Sequence, residues 1–312
     1  MRATRVLTAL ISCLALVACM VPHQRDDTQA SKPAIEESDV DDVYARYREV
    51  YNAAVDIASA QPLSVVERGS VLDIDTAAFQ VDGGAGTTTL RADEVAIPRF
   101  RAYPLWFMAV ASTDDGDERR VQVFSRASSV DTWALVASPQ IVAEAVLPEL
   151  RASGDANAVA VTPDDDRGMA LSPQAAVDAY VSTLSILPEQ AGDGVARDDA
   201  FLQQMRDAFG QSQGLADVAF SQAWTADPVE YAVRTADGGA LVFATLHRAD
   251  QFQVTTGRTV TYPDGTVQKA LAPEGITGTG TVRFDHQVLL LVPPGQGDVR
   301  VLGQFGGVVA VE

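Results

Sequence analysis

The order of hydrophobic periods along the chain is the feature that most constrains its fold. Between Val40 and Ala58 apolar residues recur at helical spacing, and in the segments from residue 87 onward they alternate with the period of a strand. The same order recurs after Ser172, which together with Pro173 has the sequence of a helix start. Helices that precede groups of strands, instead of alternating with them, predict an α+β fold with antiparallel sheets.

The predicted elements fall into two similar halves, each a helix packed on a curved antiparallel β-sheet. We predict an N-terminal half, residues 39–162, and a C-terminal half, residues 163–312, with the acidic segment 164–168 at the boundary. A helix with Ser38 as its N-cap opens the first half, and helices after Ser172 and from about Asp199 to Phe209 open the second. The predicted strands are Thr87–Val95, Leu105–Ser112, Arg119–Ser125 and Trp133–Ala137, then Val218–Ala223, Tyr231–Thr235, Ala240–Leu246, Phe252–Thr256, Thr279–Val292 in part and Val299–Val311.

This element order looks like the cone-shaped fold of the nuclear transport factor 2-like and cystatin-like superfamilies. The resemblance implies a sheet that curves around a central cone in each half. An open cone lined by convergent polar groups would favour a receptor or an enzyme, whereas a filled cone would favour a scaffold.

Residues 1–18 have the features of a lipoprotein signal peptide. Arg2 and Arg5 give a positive start, and the apolar run Val6–Ala18 is too short for a spanning helix, which needs roughly 20 residues. The run ends in LVAC at residues 16–19, which resembles the bacterial lipobox, a small residue followed by a cysteine that accepts diacylglycerol. We predict a mature protein that begins at Cys19, carries fatty acids such as palmitate, and is held on the outer face of the cell membrane. The alternative is an ordinary secreted protein that is cleaved nearby.

Charge and cysteine content restrict the partners of the mature chain. Residues 19–38 are polar and aperiodic, which predicts a flexible tether. The net charge of −19 repels phosphates, so no nucleic acid partner is expected. The cysteines are Cys13, inside the signal, and Cys19, so neither a disulfide nor a thiolate metal site is predicted. No cofactor and no metal site are expected.

Three motifs suggest chemistry, and each has a structural alternative. Ser212 lies in a G-x-S-x-G sequence, but a helix precedes it where a nucleophile elbow needs a strand. His247 and His286 lie in strand-like runs and could act as bases, although structural roles are more common for histidines without a metal-spaced carboxylate. The carboxylates at 164–166 lack a calcium loop, so a solvated linker is favoured. The tyrosines of the first helix could form a ligand face, although core packing is favoured.

Three short segments carry a resemblance to a known family. They are residues 66–79, which begin VERG, the segment YPLWFMAV at residues 103–110, and DTWAL at residues 131–135. Together they resemble a domain of unknown function that is found in actinobacterial lipoproteins, with a YPxWF strand and a later strand containing tryptophan. The resemblance implies an extracytoplasmic, membrane-anchored protein and no particular activity.

The segment from Arg99 to Phe107 combines basic and aromatic residues on an acidic chain. Arg99, Arg101, Tyr103 and Trp106 form a candidate binding surface, because arginine pairs with anions and aromatic rings stack on ligands. The alternative is that the aromatic residues belong to the core. We therefore expect a non-catalytic binding or scaffolding module at the cell envelope, which contacts the membrane through its anchor and an envelope protein or small-molecule ligand. The alternative is an envelope hydrolase that uses Ser212 or a histidine–carboxylate pair.

Overall fold

The computed structural model describes residues 31–81, 86–114, 116, 118–142, 145–153, 157–186 and 193–312. The predicted signal peptide, Cys19 and the tether as far as residue 30 lie outside these residues. The α-helices of the described part are α1 (Val40–Asp56), α2 (Ser70–Ala78), α3 (Pro173–Ser185), α4 (Ala200–Gln213) and α5 (Val267–Leu271). Short 3-10 helices span Glu37–Asp39 and Gln61–Val65.

Most strands of the described residues belong to one open antiparallel sheet. Its hydrogen-bonded order is β2-β4-β5-β7-β12-β11-β10-β8, with β6 beside β5 and β9 beside β10, while β1 pairs with β3 in a separate ribbon. The bounds are β1 (Lys32–Pro33), β2 (Arg91–Ala96), β3 (Arg99–Phe100), β4 (Leu105–Ser112), β5 (Arg119–Arg126), β6 (Ala134–Ala137), β7 (Gln140–Ile141), β8 (Val218–Ala226), β9 (Tyr231–Arg234), β10 (Ala240–Val254), β11 (Thr279–Val292) and β12 (Arg300–Val311).

The sheet curves until its two ends face each other. We call β2, β4, β5 and β6 the front layer, and β8 to β12 the back layer. Trp106 and Met108 of β4 share a buried cluster with Leu241 and Phe243 of β10 and Leu289 of β11. This contact explains why β4 is buried along nearly its whole length and does not alternate. The two layers thus enclose a common core.

Helices cover the outer surface of each layer. On the front layer, Tyr44, Tyr47 and Tyr51 of α1 pack with Phe107 and Phe124, so the tyrosine stripe is core, as favoured from the sequence. On the back layer, the apolar faces of α3 and α4 pack on β8 to β12. The helix start predicted at Ser172 is confirmed, because its side chain accepts a hydrogen bond from the backbone of Ala175 at 3.3 Å.

The α+β class is confirmed, but two separate halves, each with its own sheet, are not. The short strand β7 pairs with β5 on one side and with β12 on the other, which makes the sheet continuous. Hydrophobic periodicity identifies strands without showing which strands pair, so the sequence did not reveal this junction. Residues Lys32–Glu312 form one compact unit.

Two features near the expected boundaries differ from the prediction. The segment 164–168 is held to the back layer, because Asp165 forms salt bridges with Arg234, at 2.9 Å, and with Arg167, at 2.8 Å. The predicted tether is shorter at its C-terminal end, since β1 pairs with β3 and the apolar side chains Ala34 and Ile35 are buried.

Several element bounds also differ from the sequence prediction. The helix expected to stop at Gly210 continues to Gln213, and the two strands predicted within residues 240–256 form the single long strand β10. The first helix begins at Val40, with Asp39 rather than Ser38 as its N-cap residue. Among the described residues, no helix is long and apolar enough to span a membrane.

Candidate functional site

A groove opens between the front and back layers, beside the N-terminus of α2. Its cavity volume is about 690 Å³, within the range of about 300–1,000 Å³ that is typical of small-molecule sites. The front layer contributes Ser125, Val136 and the segment after β5, and the back layer contributes Phe243, Thr245 and Gln287 among others. We call this cavity the interlayer groove.

Three polar side chains form the floor of the interlayer groove. The Gln287 amide donates hydrogen bonds to Ser70 Oγ at 2.7 Å and to the Val136 carbonyl at 2.9 Å, and its Oε1 accepts from the Ser138 backbone at 2.8 Å. The hydroxyls of Ser70 and Thr245 are 3.2 Å apart. Because Gln287 lies on β11, this network joins the back layer to β6 and α2 and fixes the position of each polar group.

The wall on the front side is formed where the chain enters α2. The backbone N–H of Arg68 donates to the Leu135 carbonyl of β6 at 3.0 Å. Gly69 then adopts a φ of 59°, a conformation that glycine adopts readily, and this turn directs Ser70 and the start of α2 toward the groove. The Arg68 guanidinium donates through Nη1 to the carbonyls of Ser64 and Glu67. Its other nitrogens donate to no described residue.

The wall on the back side carries a carboxylate. Glu230 lies between β8 and β9 and lines the interlayer groove. Its neighbour Tyr231 packs its ring edge-on against Trp106 of β4, and burial raises the pKa of the Tyr231 hydroxyl, which Ser125 lowers and Glu230 raises further. The ring contact crosses from one layer to the other and fixes the start of β9 beside the groove.

His247 lies on the same face of β10 as Thr245, between two carboxylates. Its Nδ1 is 2.7 Å from Asp285 Oδ1, and its Nε2 is 3.1 Å from Asp227 Oδ1. The hydrogen bond to Asp285, followed by that to Asp227, raises the histidine pKa to about 9 in spite of partial burial. The ring is therefore charged at neutral pH and forms salt bridges with both aspartates.

His286 lies on the opposite face of the neighbouring strand and is buried. Burial, followed by the charge of Arg248, lowers its pKa to about 3. The ring packs against Phe201, Trp224 and Phe284, and its Nε2 has no hydrogen-bond partner among the described residues. This histidine is a neutral part of the core beneath α4.

Of the predicted catalytic combinations, the one built on Ser212 is not assembled by the described residues, whereas a histidine–carboxylate pair is present at His247. Ser212 lies within α4, without the strand that a nucleophile elbow requires before it. No hydrogen bond joins Ser212 to either histidine in the described part of the chain. The histidine–carboxylate pairs that do form are those of His247 with Asp227 and Asp285.

The candidate surface from the sequence is divided by the fold. Trp106 does not belong to it, because its side chain is only 4% exposed and packs edge-on against Tyr231 in the interlayer core. The alternation of β4 requires this, since inward side chains meet the back layer. Arg101 and Tyr103 are exposed, and Arg99 is half-buried. Tyr103 lines a second groove, of about 730 Å³, near β1 and α1.

Two buried carboxyl groups lie behind the interlayer groove. Glu67 is fully buried and accepts a hydrogen bond from the Tyr47 hydroxyl at 3.0 Å. Burial, followed by the neighbouring charge of Asp75, raises the Glu67 pKa, and burial also raises that of Asp75. A proton shared within this pair relieves their repulsion. Their position under α1 indicates a structural role.

Comparison with known proteins places the fold in a family. A family model described as a domain of unknown function, DUF8094, matches residues 31–312. The chain belongs to the DUF8094 family. The resemblance derived from the sequence is thereby confirmed at the family level. No solved structure matches the chain significantly.

Two relatives of this DUF8094 chain match nearly the whole sequence. One, from Streptomyces avermitilis, is 29% identical over 98% of this chain and 94% of its own length, and is named an uncharacterized lipoprotein. The other, from Streptomyces coelicolor, is 26% identical over 97% of this chain and 92% of its own length, and is also named an uncharacterized lipoprotein. Both names agree with the actinobacterial lipoprotein family inferred from the sequence.

Most residues of the interlayer groove in this DUF8094 domain were missed from the sequence. Ser70, Glu230 and Gln287 are far apart along the chain and belong to no motif. One signal was present, since Phe243, Thr245 and His247 share a strand face on which polar residues follow an apolar one. That pattern indicates a strand that passes from a core to an open edge.

Proposed function

We propose that this chain is a lipid-anchored extracytoplasmic protein whose folded domain binds a small molecule in the interlayer groove without catalysing a reaction. The observation that carries the proposal is the groove itself. A cavity of about 690 Å³ has a floor of polar side chains fixed by Gln287, and apolar side chains such as Phe243 beside them. Such a combination of shape and oriented polar groups is typical of binding sites.

The state of the titratable groups supports binding over hydrolysis. A general base must be unprotonated at the working pH. His247 has a pKa of about 9 and is held by two carboxylates, so it is a poor base near neutrality. His286 lies on the other face of the back layer, in the core. Ser212 lies in a helix.

The anchor is supported by the N-terminal sequence and by the relatives. The run Val6–Ala18 and the LVAC sequence at residues 16–19 have the features that lipoprotein processing requires. Both relatives are named lipoproteins. With its lipid on Cys19, the domain would stand on the outer face of the membrane, joined by the polar segment that ends near Lys32.

The groove can be tested by retention of natural small molecules. The purified domain is incubated with the small-molecule fraction of the culture medium, washed and analysed by native mass spectrometry. We expect a compound to be retained by the wild type and by Ala219→Trp, which adds a ring on the exposed edge strand β8, but lost by Ala127→Trp, which narrows the groove. Equal retention by a folded Ala127→Trp variant would contradict the site, and recovery of the compound in altered form would establish an enzyme.

The anchor is tested by labelling cells with a fatty acid. Cys19→Ala should leave an unlabelled precursor, because the thiol that accepts the lipid is gone. Cys13→Ala is the matched control, since it removes the other cysteine of the chain and should leave the label intact. Label that survives Cys19→Ala would overturn the anchor.

A further inference from the structure

The described lining of the interlayer groove includes one cation, Arg68, and three carboxylates, of which Asp131 accepts a hydrogen bond from the Ser128 hydroxyl. Arg68 lines the front wall of the groove and Glu230 its back wall. Neither forms a salt bridge with any residue that the structure describes, whereas Asp227, which also lines the groove, is paired with His247. A guanidinium and a carboxylate are thus presented to the same cavity from different layers.

Each of these charges is held in place and keeps free capacity. Nη1 of Arg68 is fixed by the carbonyls of Ser64 and Glu67, which leaves Nε and Nη2 to meet an anion. Glu230 is placed by the packed ring of its neighbour Tyr231, and its exposed carboxylate has lone pairs for a cation. The Ser70 and Thr245 hydroxyls lie on the floor with Gln287.

We propose that the interlayer groove binds a zwitterion of the amino acid or dipeptide class, with the ligand carboxylate at Arg68 and its ammonium group at Glu230. A ligand with both charges pairs with both side chains. An ion of one sign would pair with one of them and displace water from the other without replacing its hydrogen bonds, which costs free energy. Phe243 and Val136 provide apolar surface for a side chain, and the cavity volume accommodates two residues.

This inference rests on the proposed binding function and extends it to a ligand class. If the retained natural compound is neutral or singly charged, the proposal of small-molecule binding is supported and the proposal of a zwitterionic ligand is overturned. If the interlayer groove retains nothing and the zwitterions below do not bind, both fail.

The test is calorimetric titration of the purified domain with the twenty proteinogenic amino acids and with a set of L-alanyl dipeptides. The best ligand is then compared with its N-acetyl and C-terminal amide derivatives, each of which lacks one charge. We expect each derivative to bind at least about tenfold more weakly, since each loses one charge-assisted hydrogen bond to the groove. Absence of binding by every zwitterion at millimolar concentration overturns the proposal, as does equal affinity for the neutralised derivatives.

Variants assign each ligand charge to its wall. The Glu230→Gln variant should bind the best ligand and its N-acetyl derivative with similar affinity. It should still bind the C-terminal amide derivative more weakly than the best ligand. The Arg68→Gln variant should instead bind the best ligand and its C-terminal amide with similar affinity and still discriminate against the N-acetyl derivative. If this variant folds poorly, Arg68→Lys serves in its place, and because it keeps the charge it should retain part of the discrimination against the amide. The controls are Glu94→Gln and Arg119→Gln, exposed residues of β2 and β5 that do not line the groove. Unchanged preferences in folded groove variants overturn the assignment.

Discussion

The two faces of the β10–β11 ribbon place similar polar residues in opposite environments. On the inner face, Gln287 lies on the floor of the interlayer groove, and the partly exposed His247 pairs with Asp227, which lines that groove. On the outer face, His286 and the Arg248–Asp250 pair are buried beneath α3 and α4. The two histidines thus differ in charge state and access, because they lie on opposite faces of these paired strands.

This contrast separates function from stability. Polar groups on the outer face are enclosed, so the loss of a partner such as Asp250 should weaken the fold. Polar groups at the groove differ, since Gln287 on its floor is buried and should affect stability, whereas the exposed Glu230 on its wall should change binding more than folding. Each prediction below tests one side of the contrast, from the largest expected effect to the smallest.

The largest effect is expected from Asp250→Asn on the outer face. Arg248 and Asp250 form a salt bridge at 3.1 Å with both side chains less than a tenth exposed. The substitution retains an acceptor for Gln222 but leaves the guanidinium buried without its counter-charge. We expect the free energy of unfolding to fall by about 3–5 kcal/mol in denaturant titrations. A fall in the free energy of unfolding of less than about 1 kcal/mol would mean that Arg248 is effectively solvated. The two faces of the β10–β11 ribbon would then not differ in their access to solvent.

A smaller loss is expected from Gln287→Leu at the floor of the groove. The change keeps the volume of the side chain but leaves the buried Ser138 N–H without its acceptor and removes the link to Ser70. We expect a loss of about 1–3 kcal/mol, measured in the same way. Gln251→Leu, at an exposed position of β10, is the matched control and should change stability by no more than about 0.5 kcal/mol.

The two histidines should give opposite pH dependences of stability. The His247 pKa is raised to about 9, so its contribution is complete below pH 6.5 and is lost as the pH rises through about 9. The His286 pKa is lowered to about 3, so its contribution is complete above pH 6.5 and is lost as the pH falls. The free energy of unfolding of the wild type, His247→Gln and His286→Gln is measured by denaturant titration at pH values between about 3 and about 9, the two histidine pKa values. The quantity of interest is how the difference between each variant and the wild type changes with pH.

The sign of each difference decides this prediction. The free energy of unfolding of His247→Gln should be lower than that of the wild type, and this difference should shrink as the pH rises from about 6.5 to about 9. The corresponding difference in the free energy of unfolding between the wild type and His286→Gln should shrink as the pH falls below about 6.5. Slopes of the same sign would mean that the two faces present similar environments to their histidines.

The smallest effect on stability is expected at the groove wall. Glu230 is exposed and forms no salt bridge with a described residue, so Glu230→Gln should change the free energy of unfolding by no more than about 0.5 kcal/mol. Thermal unfolding beside the Glu94→Gln control measures this. A substantially larger loss would make Glu230 a structural residue and remove it from the binding site.

The sequence predicted the elements better than their assembly. The strand Leu105–Ser112 and the cap at Ser172 follow from local patterns, and the structure has both where they were expected. The joining of two expected sheets through β7 could not be predicted, because a two-residue strand has no measurable period. The interlayer groove depends on that assembly, so its residues carried little local signal beyond the strand face of Phe243 and Thr245.

Trp106 shows the same limit at a single residue. Its neighbours Arg101 and Tyr103 are exposed, so the segment predicted as a binding surface is divided between the surface and the core. The ring itself points inward because β4 is covered on both sides, by α1 and by the back layer. Whether a strand has one buried face or two is decided by tertiary contacts and not by composition.

Hydrogen–deuterium exchange with and without the best ligand tests the central claim most directly. If the interlayer groove is the binding site, added ligand should slow amide exchange in the segments 66–72, 125–136 and 227–233, which form its walls. Exchange in α3 and α4, on the outer face, should be unchanged. Protection confined to those helices, or to the second groove beside β1 and α1, would contradict the account and place the functional surface elsewhere.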